Sequence, residues 1–337
     1  MEYTTLGDTG VTVSNICLGC MGFGTSSWRD WVLDEDESVE LIEEAIDLGV
    51  TFFDTANTYS NGASERVLGT ALEGYDREEF VVATKGYFGA GTDNPNAVGL
   101  SRKAIDIQLQ ASLDRLGLDT VDLYQIHRLD DAVANEDIVR TLDDAVRRGD
   151  VRYPGASSMW AREFEDLLST SERLGLERFR TMQNHYNLVY REEEREMLPL
   201  CQREDIAVIP WSPLARGYLT RPEERIDDTV RGESEKTQPG GTSMYEHPYR
   251  EGGGPEINAR VAELADDYGV SMAQIAVAWL NHNEYVDAPI IGTTSVDHLR
   301  EAVAALDIDL STSDVEYLEE PYEAMAVSPP YDTDPRP

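Results

Sequence analysis

The chain has 337 residues, 41% of them hydrophobic, and carries 65 acidic against 28 basic side chains, a formal net charge of −37. Negative charge spread along the whole chain repels nucleic acid and anionic membranes, which excludes both as partners. Dense periodic apolar segments argue against a disordered acidic polymer. They leave adaptation to a high-salt cytoplasm as the reading of the charge, since self-repulsion is screened within about 3 Å at 1 M salt.

The amino terminus MEYTTLGDTG is polar and does not read as a signal peptide. No apolar stretch approaches the ~18 residues of a membrane span, so a cytoplasmic protein is expected. Residues 3 to 13 carry a GDTG turn between short alternating segments, a hairpin suited to plugging the floor of a barrel. Apolar runs then recur at about 16–20, 51–55, 80–85, 121–127, 151–157, 181–185, 207–211 and 288–292. Amphipathic patterns fill the gaps, among them ESVELIEEAIDLG, SRKAIDIQLQASLDRLG and NEDIVRTLDDAVRRG, each closing on glycine. Alternating strands and helices predict a parallel α/β sheet, and eight units predict its closure into a (β/α)8 barrel forming one domain over 1–337. Residues 217–256, rich in Gly and charge, break the rhythm and are expected to form a long loop after the seventh barrel strand, a candidate lid.

Three cysteines, Cys17, Cys20 and Cys201, are too few for a disulfide framework and predict reduced thiols. The odd spacing of Cys17 and Cys20 puts them on opposite faces of a strand, where they cannot bridge.

Four polar residues stand where three apolar runs end: Asp54 and Tyr59 in TFFDTANTY, Lys85 in EFVVATKG and His127 in VDLYQIH. The carboxyl ends of parallel barrel strands share one mouth, so residues distant in sequence converge there. Period-two alternation then turns Phe52 and Asp54, Val81, Ala83 and Lys85, and Leu123, Gln125 and His127 into the barrel. A tyrosine hydroxyl, with an ordinary pKa of about 10, is a slow proton donor at neutral pH unless its phenolate is stabilised. A lysine ammonium beside it supplies that, an aspartate holds the lysine charged, and a histidine shares the proton or orients a carbonyl. The set needs no metal and suits protonation of an alkoxide as hydride arrives, that is, carbonyl reduction.

The segments DTANTYSNGASERVLG, VVATKG, VDLYQIHR, GASSMW, MQNHYNLVYREEEREMLPLC and IPWSPLARGYL, in this order, resemble the aldo-keto reductase family over almost the whole chain. The branch resembled includes bacterial reductases and the potassium-channel beta subunits. The resemblance implies an eight-stranded barrel, NADPH as hydride donor with NADH possible, and Asp54, Tyr59, Lys85 and His127 as the catalytic tetrad with Tyr59 as general acid. It further implies Ser157 and Gln183 on the nicotinamide carboxamide, Trp211 stacked on the ring, and Ser212, Leu214, Arg216 and Gly217 around the pyrophosphate. Gly292, Thr293 and Thr294, before a helix amino terminus, are implied at the adenosine end. There the chain departs from many relatives: a lysine is missing near Gly292, His298 stands where an arginine grips the 2′-phosphate, and Ser158 replaces an asparagine. Arg216, Arg221 or Arg300 are the expected substitutes. Trp28, Trp31, Tyr87, Phe88 and Arg128 are expected to wall a pocket for a small carbonyl substrate. Two rival functions stay open: an NADPH-binding redox sensor with little turnover, and a barrel enzyme of another class.

Overall fold

The computed structural model describes residues 1–226 and 248–327. Strands β1 (Tyr3–Thr5) and β2 (Thr12–Ser14) form an antiparallel hairpin. Eight parallel strands follow in sheet order β10-β3-β4-β5-β6-β7-β8-β9. They are β3 (Cys17–Gly19), β4 (Phe52–Asp54), β5 (Val81–Gly86), β6 (Val121–Ile126), β7 (Val151–Ser157), β8 (Thr181–Gln183), β9 (Ala207–Val208) and β10 (Ile290–Gly292). Backbone hydrogen bonds from Asp287 N to Val208 O (3.0 Å) and Ile290 N to Pro210 O (2.9 Å) join the two edges and curl the sheet into a barrel. A closed barrel leaves no unpaired edge.

Alternation sorts the side chains as expected. Phe52, Val81, Ala83, Leu123, Ala207 and Ile290 form an inner cluster, and the hairpin's Leu6 and Val13 pack into it, so the hairpin does plug the floor. Phe53, Val82, Tyr124 and Ile126 point outward into the larger layer under the helices. Cys17 belongs to the inner cluster and Cys20 to the outer one, and both are free thiols. Of the eight strand expectations, the seventh is shortened most, to Ala207–Val208, because Pro210 lacks the N–H that a ladder requires.

The helices carry their signals locally. Ser101 Oγ accepts from Ala104 N (3.2 Å) to start helix Arg102–Leu116, and Gly117 ends it in the left-handed region at φ 67°. Helix Asn135–Arg148 opens on Glu136 and Asp137 and closes on Arg147 and Arg148, each charge opposing the helix dipole.

The 217–256 segment is not one open loop. Its described flanks hold short 3-10 turns at Ala215–Thr220, Glu223–Arg225 and Pro248–Arg250, and a helix already begins at Gly254. Residues 227–247, where the lid was expected, lie outside the described residues. Among the described residues, no helix is long and apolar enough to cross a membrane.

Self-repulsion from the net charge of −37 is expected to make stability salt-dependent. The melting temperature should be higher in molar potassium chloride than in dilute buffer, as thermal melts followed by circular dichroism will report. Equal midpoints would detach the acidity from any adaptation to salt.

Candidate active site

Every strand of the barrel ends at the same mouth, and β4, β5 and β6 deliver Asp54, Lys85 and Gln125 side by side: Asp54 pairs in register with Ala83, and Lys85 with Gln125. Lys85 Nζ lies 2.6 Å from Asp54 Oδ2 and donates to Thr55 O at 2.8 Å, with both charged side chains almost wholly buried. The other carboxylate oxygen, Asp54 Oδ1, accepts from Gln125 Nε2 and from Gln183 Nε2, each at 2.9 Å. A buried ion pair is sustained only when its remaining hydrogen-bonding capacity is met, and the two glutamines meet it. Gly155 makes room for this arrangement: a Cβ there would stand 2.9 Å from Gln125 Cγ and 2.3 Å from Thr181 Oγ1.

Tyr59 follows β4 on a short turn whose next two residues, Ser60 (φ 47°) and Asn61 (φ 51°), adopt left-handed backbone. Such conformations persist only where surroundings over-determine them. Here Ser60 Oγ donates to Phe23 O (3.2 Å), and Asn57 Nδ2 donates to Phe88 O (2.8 Å) and Gln108 Oε1 (3.0 Å). The turn sets the Tyr59 ring with its centroid 4.8 Å from Lys85 Nζ and 6.0 Å from the His127 ring, edge to face. His127 also meets Phe88 edge to face at 5.2 Å, and its Nδ1 is buried without a hydrogen-bond partner.

Electrostatics correct one expectation. Burial pushes the Tyr59 hydroxyl above its ordinary pKa, and the Lys85 ammonium opposes this without overcoming it, so the phenol is held protonated. Burial alone would lower Lys85, but Asp54 and then Tyr59 outweigh it and hold the ammonium above its ordinary value. Burial, followed by the charges of Lys85 and Arg128, drives His127 well below the usual imidazole range, so the ring is neutral at pH 7.

The residues implied for the cofactor occupy the same mouth with altered duties. Ser157 ends β7, its Oγ 3.2 Å from Ser158 Oγ. Gln183 ends β8, but its amide nitrogen is spent on Asp54 and Gln125. Trp211 follows β9, keeps partial exposure, and donates its indole Nε1–H to Ser158 Oγ at 2.9 Å, so Ser158 has a defined role of its own. Beyond it Ser212, Ala215, Arg216 and Gly217 all have left-handed φ, which curls the chain around Leu214. Gly292 has open space where a Cβ would be. The Thr293 hydroxyl is not available to a ligand as expected: it accepts from Ser295 N (3.1 Å) and donates to Ser295 O (3.2 Å). Thr294 packs its methyl towards Gly22, and His298 lies exposed in the first turn of helix Val296–Ala304. Arg300, exposed, is paired with Glu44 at 2.8 Å. Among the expected pocket walls Tyr87 is buried and meets Phe88 edge to face at 4.9 Å, and Arg128 sits 5.9 Å from the Phe88 centroid. The sequence reading passed over Gln108 and underused Gln125. A buried polar residue on a helix or strand face otherwise apolar was the available signal.

Comparison with known proteins fits this geometry. The model of the Aldo/keto reductase family matches residues 15–323. The chain is similar to the versiconal hemiacetal acetate reductase of Aspergillus parasiticus, with 44% identity covering 98% of this chain and 99% of that protein. It is also similar to a putative aryl-alcohol dehydrogenase of Schizosaccharomyces pombe (41% identity, 95% of each chain) and to an aldo-keto reductase of Alternaria alternata (41%, 96% of this chain and 92% of that one). These relatives are fungal, so they lend nothing to the expected placement among bacterial reductases and channel subunits. With a family match over nearly its full length, the protein belongs to the aldo/keto reductase family of oxidoreductases.

Proposed function

We propose that the protein reduces the carbonyl of aldehydes or ketones to the alcohol, with NADPH as reductant and Tyr59 as proton donor. The observation that carries this is the setting of Tyr59 between the buried Lys85 ammonium and the edge of a neutral His127. The chemistry NADPH would supply when bound is hydride for the carbonyl carbon. Tyr59 gives its proton to the carbonyl oxygen, and the phenolate left behind is stabilised by Lys85, which Asp54 keeps charged. Neutral His127, beside the Tyr59 ring, is suited to orient the carbonyl oxygen by a hydrogen bond from a ring N–H. The residues that would hold the cofactor are Ser157, Gln183 and Trp211 at the nicotinamide, Ser212, Leu214, Arg216 and Gly217 at the pyrophosphate, and Gly292, Thr293, Thr294 and His298 at the adenosine end, with Thr293 shaping the turn through its hydroxyl. The aromatic surfaces of Phe88, Trp28 and Trp31 favour aryl aldehydes and ketones, consistent with the name of the putative aryl-alcohol dehydrogenase among the relatives.

Consumption of NADPH and NADH against a panel of aryl and aliphatic carbonyls, in high and low salt, tests the reading. Tight NADPH binding with no turnover across the panel would replace it with a redox-sensor role. His298→Arg should tighten NADPH over NADH by roughly two- to fivefold, the range expected of an exposed ion pair. An unchanged preference would move recognition of the 2′-phosphate to another part of the mouth.

A further inference from the structure

Trp211 is one layer of a column. Its ring lies 4.2 Å from that of His185 with 9° between the planes, and His185 lies 4.2 Å from Tyr190 at 13°. The column is fixed from three directions. A parallel backbone bridge joins His185 to Trp211, and Trp211 N donates to Asn184 O at 2.8 Å. The indole edge is tied to Ser158 Oγ. The His185 ring is pinned in its own plane by a 2.7 Å hydrogen bond between Nε2 and the hydroxyl of Tyr249, which comes from 64 residues further along the chain and is buried.

Aromatic stacking is sensitive to offset and tilt, so a platform that receives a flat ligand ring has to be held at a set angle. One face of the indole is covered by His185 and its nitrogen edge is committed to Ser158. The opposite face is therefore the one available to a ligand ring at the mouth. An imidazole suits the middle layer because it is flat on both sides and carries a nitrogen in the ring plane. A phenyl ring would stack but could not hold Tyr249, and an aliphatic side chain would do neither.

We infer that His185 is a positioning residue for the cofactor: it sets the angle of Trp211 and couples the nicotinamide platform to the Pro248–Arg250 turn through Tyr249. The inference rests on the proposed role of Trp211 as the surface on which the nicotinamide stacks. It makes Tyr249, 64 residues beyond His185 in the chain, a determinant of cofactor affinity.

The test compares wild type with His185→Ala, His185→Phe, Tyr249→Phe and Trp211→Leu, measuring NADPH affinity by titration calorimetry and the near-ultraviolet circular dichroism of the protein without cofactor. His185→Ala should weaken NADPH by roughly three- to tenfold, the worth of one aromatic pair, and reduce the aromatic dichroism. His185→Phe should restore the dichroism and most of the affinity. Tyr249→Phe should cost about twofold, and combined with His185→Phe should cost no more than either alone, because both remove the same hydrogen bond. Should His185→Ala not fold, the His185→Phe and Tyr249→Phe cycle decides alone: additive losses, or none, overturn the coupling. If Trp211→Leu weakens NADPH while His185→Ala does not, the column plays no part in positioning. If Trp211→Leu leaves NADPH affinity unchanged, the platform itself is disproved and the inference falls with it.

Discussion

Tyr59→Phe should lower carbonyl turnover by at least ~100-fold, the smaller figure for a positioned general acid, while folding and NADPH affinity survive. The substitution keeps the ring that meets Lys85 and His127 and removes only the hydroxyl. Cofactor affinity and steady-state rate measured on one preparation separate the two effects. Near-normal turnover would eliminate Tyr59 as the donor and turn attention to His127.

The pH profile of the wild-type enzyme follows from the same site. Reduction needs Tyr59 protonated, and burial holds its pKa above 10, so the rate of reduction should stay level through neutrality and decline only in the alkaline range beyond the ordinary tyrosine value. His127 is already neutral, its pKa held well below 6.5, so it should contribute no limb near that value. A rate of reduction that rises as the solution is acidified through pH 7 to 6 would assign a working proton to an imidazolium, against this arrangement.

The parts of this site legible in sequence are those governed by strand alternation. Asp54, Lys85 and His127 had to face one mouth because each ends an apolar run, and the inner positions Phe52, Ala83 and Leu123 lie where period two puts them. Counting eight such runs gave the barrel, and the hairpin's apolar Leu6 and Val13 gave its plug. What escaped depends on contacts between distant residues. Gln183 donates to an aspartate 129 positions away, and Arg300 is taken by a glutamate 256 positions away, neither of which any local pattern reports. The direction of the Tyr59 shift was misjudged because sequence shows the neighbouring charge but not the depth of burial, and burial dominates. The strand end before Pro210 and the capture of the Thr293 hydroxyl by its own turn were visible in principle, since both are local chemistry.

Lys85→Met tests the other half of the catalytic pair and should damage both stability and turnover. Methionine fills a similar volume but leaves Asp54 buried with only the two glutamine amides and no counter-charge, and Thr55 O without its donor. Breaking a buried pair from one side costs about 3–5 kcal/mol, far more than the pair is worth against a neutral replacement of both members. Urea unfolding should therefore show that loss for Lys85→Met and recover much of it in the double variant with Asp54→Asn, whose amide still offers an acceptor to Gln125 and Gln183. Turnover should behave differently. It falls by more than ~100-fold in the single variant, because the Tyr59 phenolate loses its stabilising cation, and it stays low in the double variant because no charge has been returned. Recovery of stability without recovery of rate separates the structural use of the pair from the chemical one. A single variant as stable as wild type would mean that the two glutamines alone suffice for Asp54, and a double variant that regains activity would remove Lys85 from the chemistry altogether.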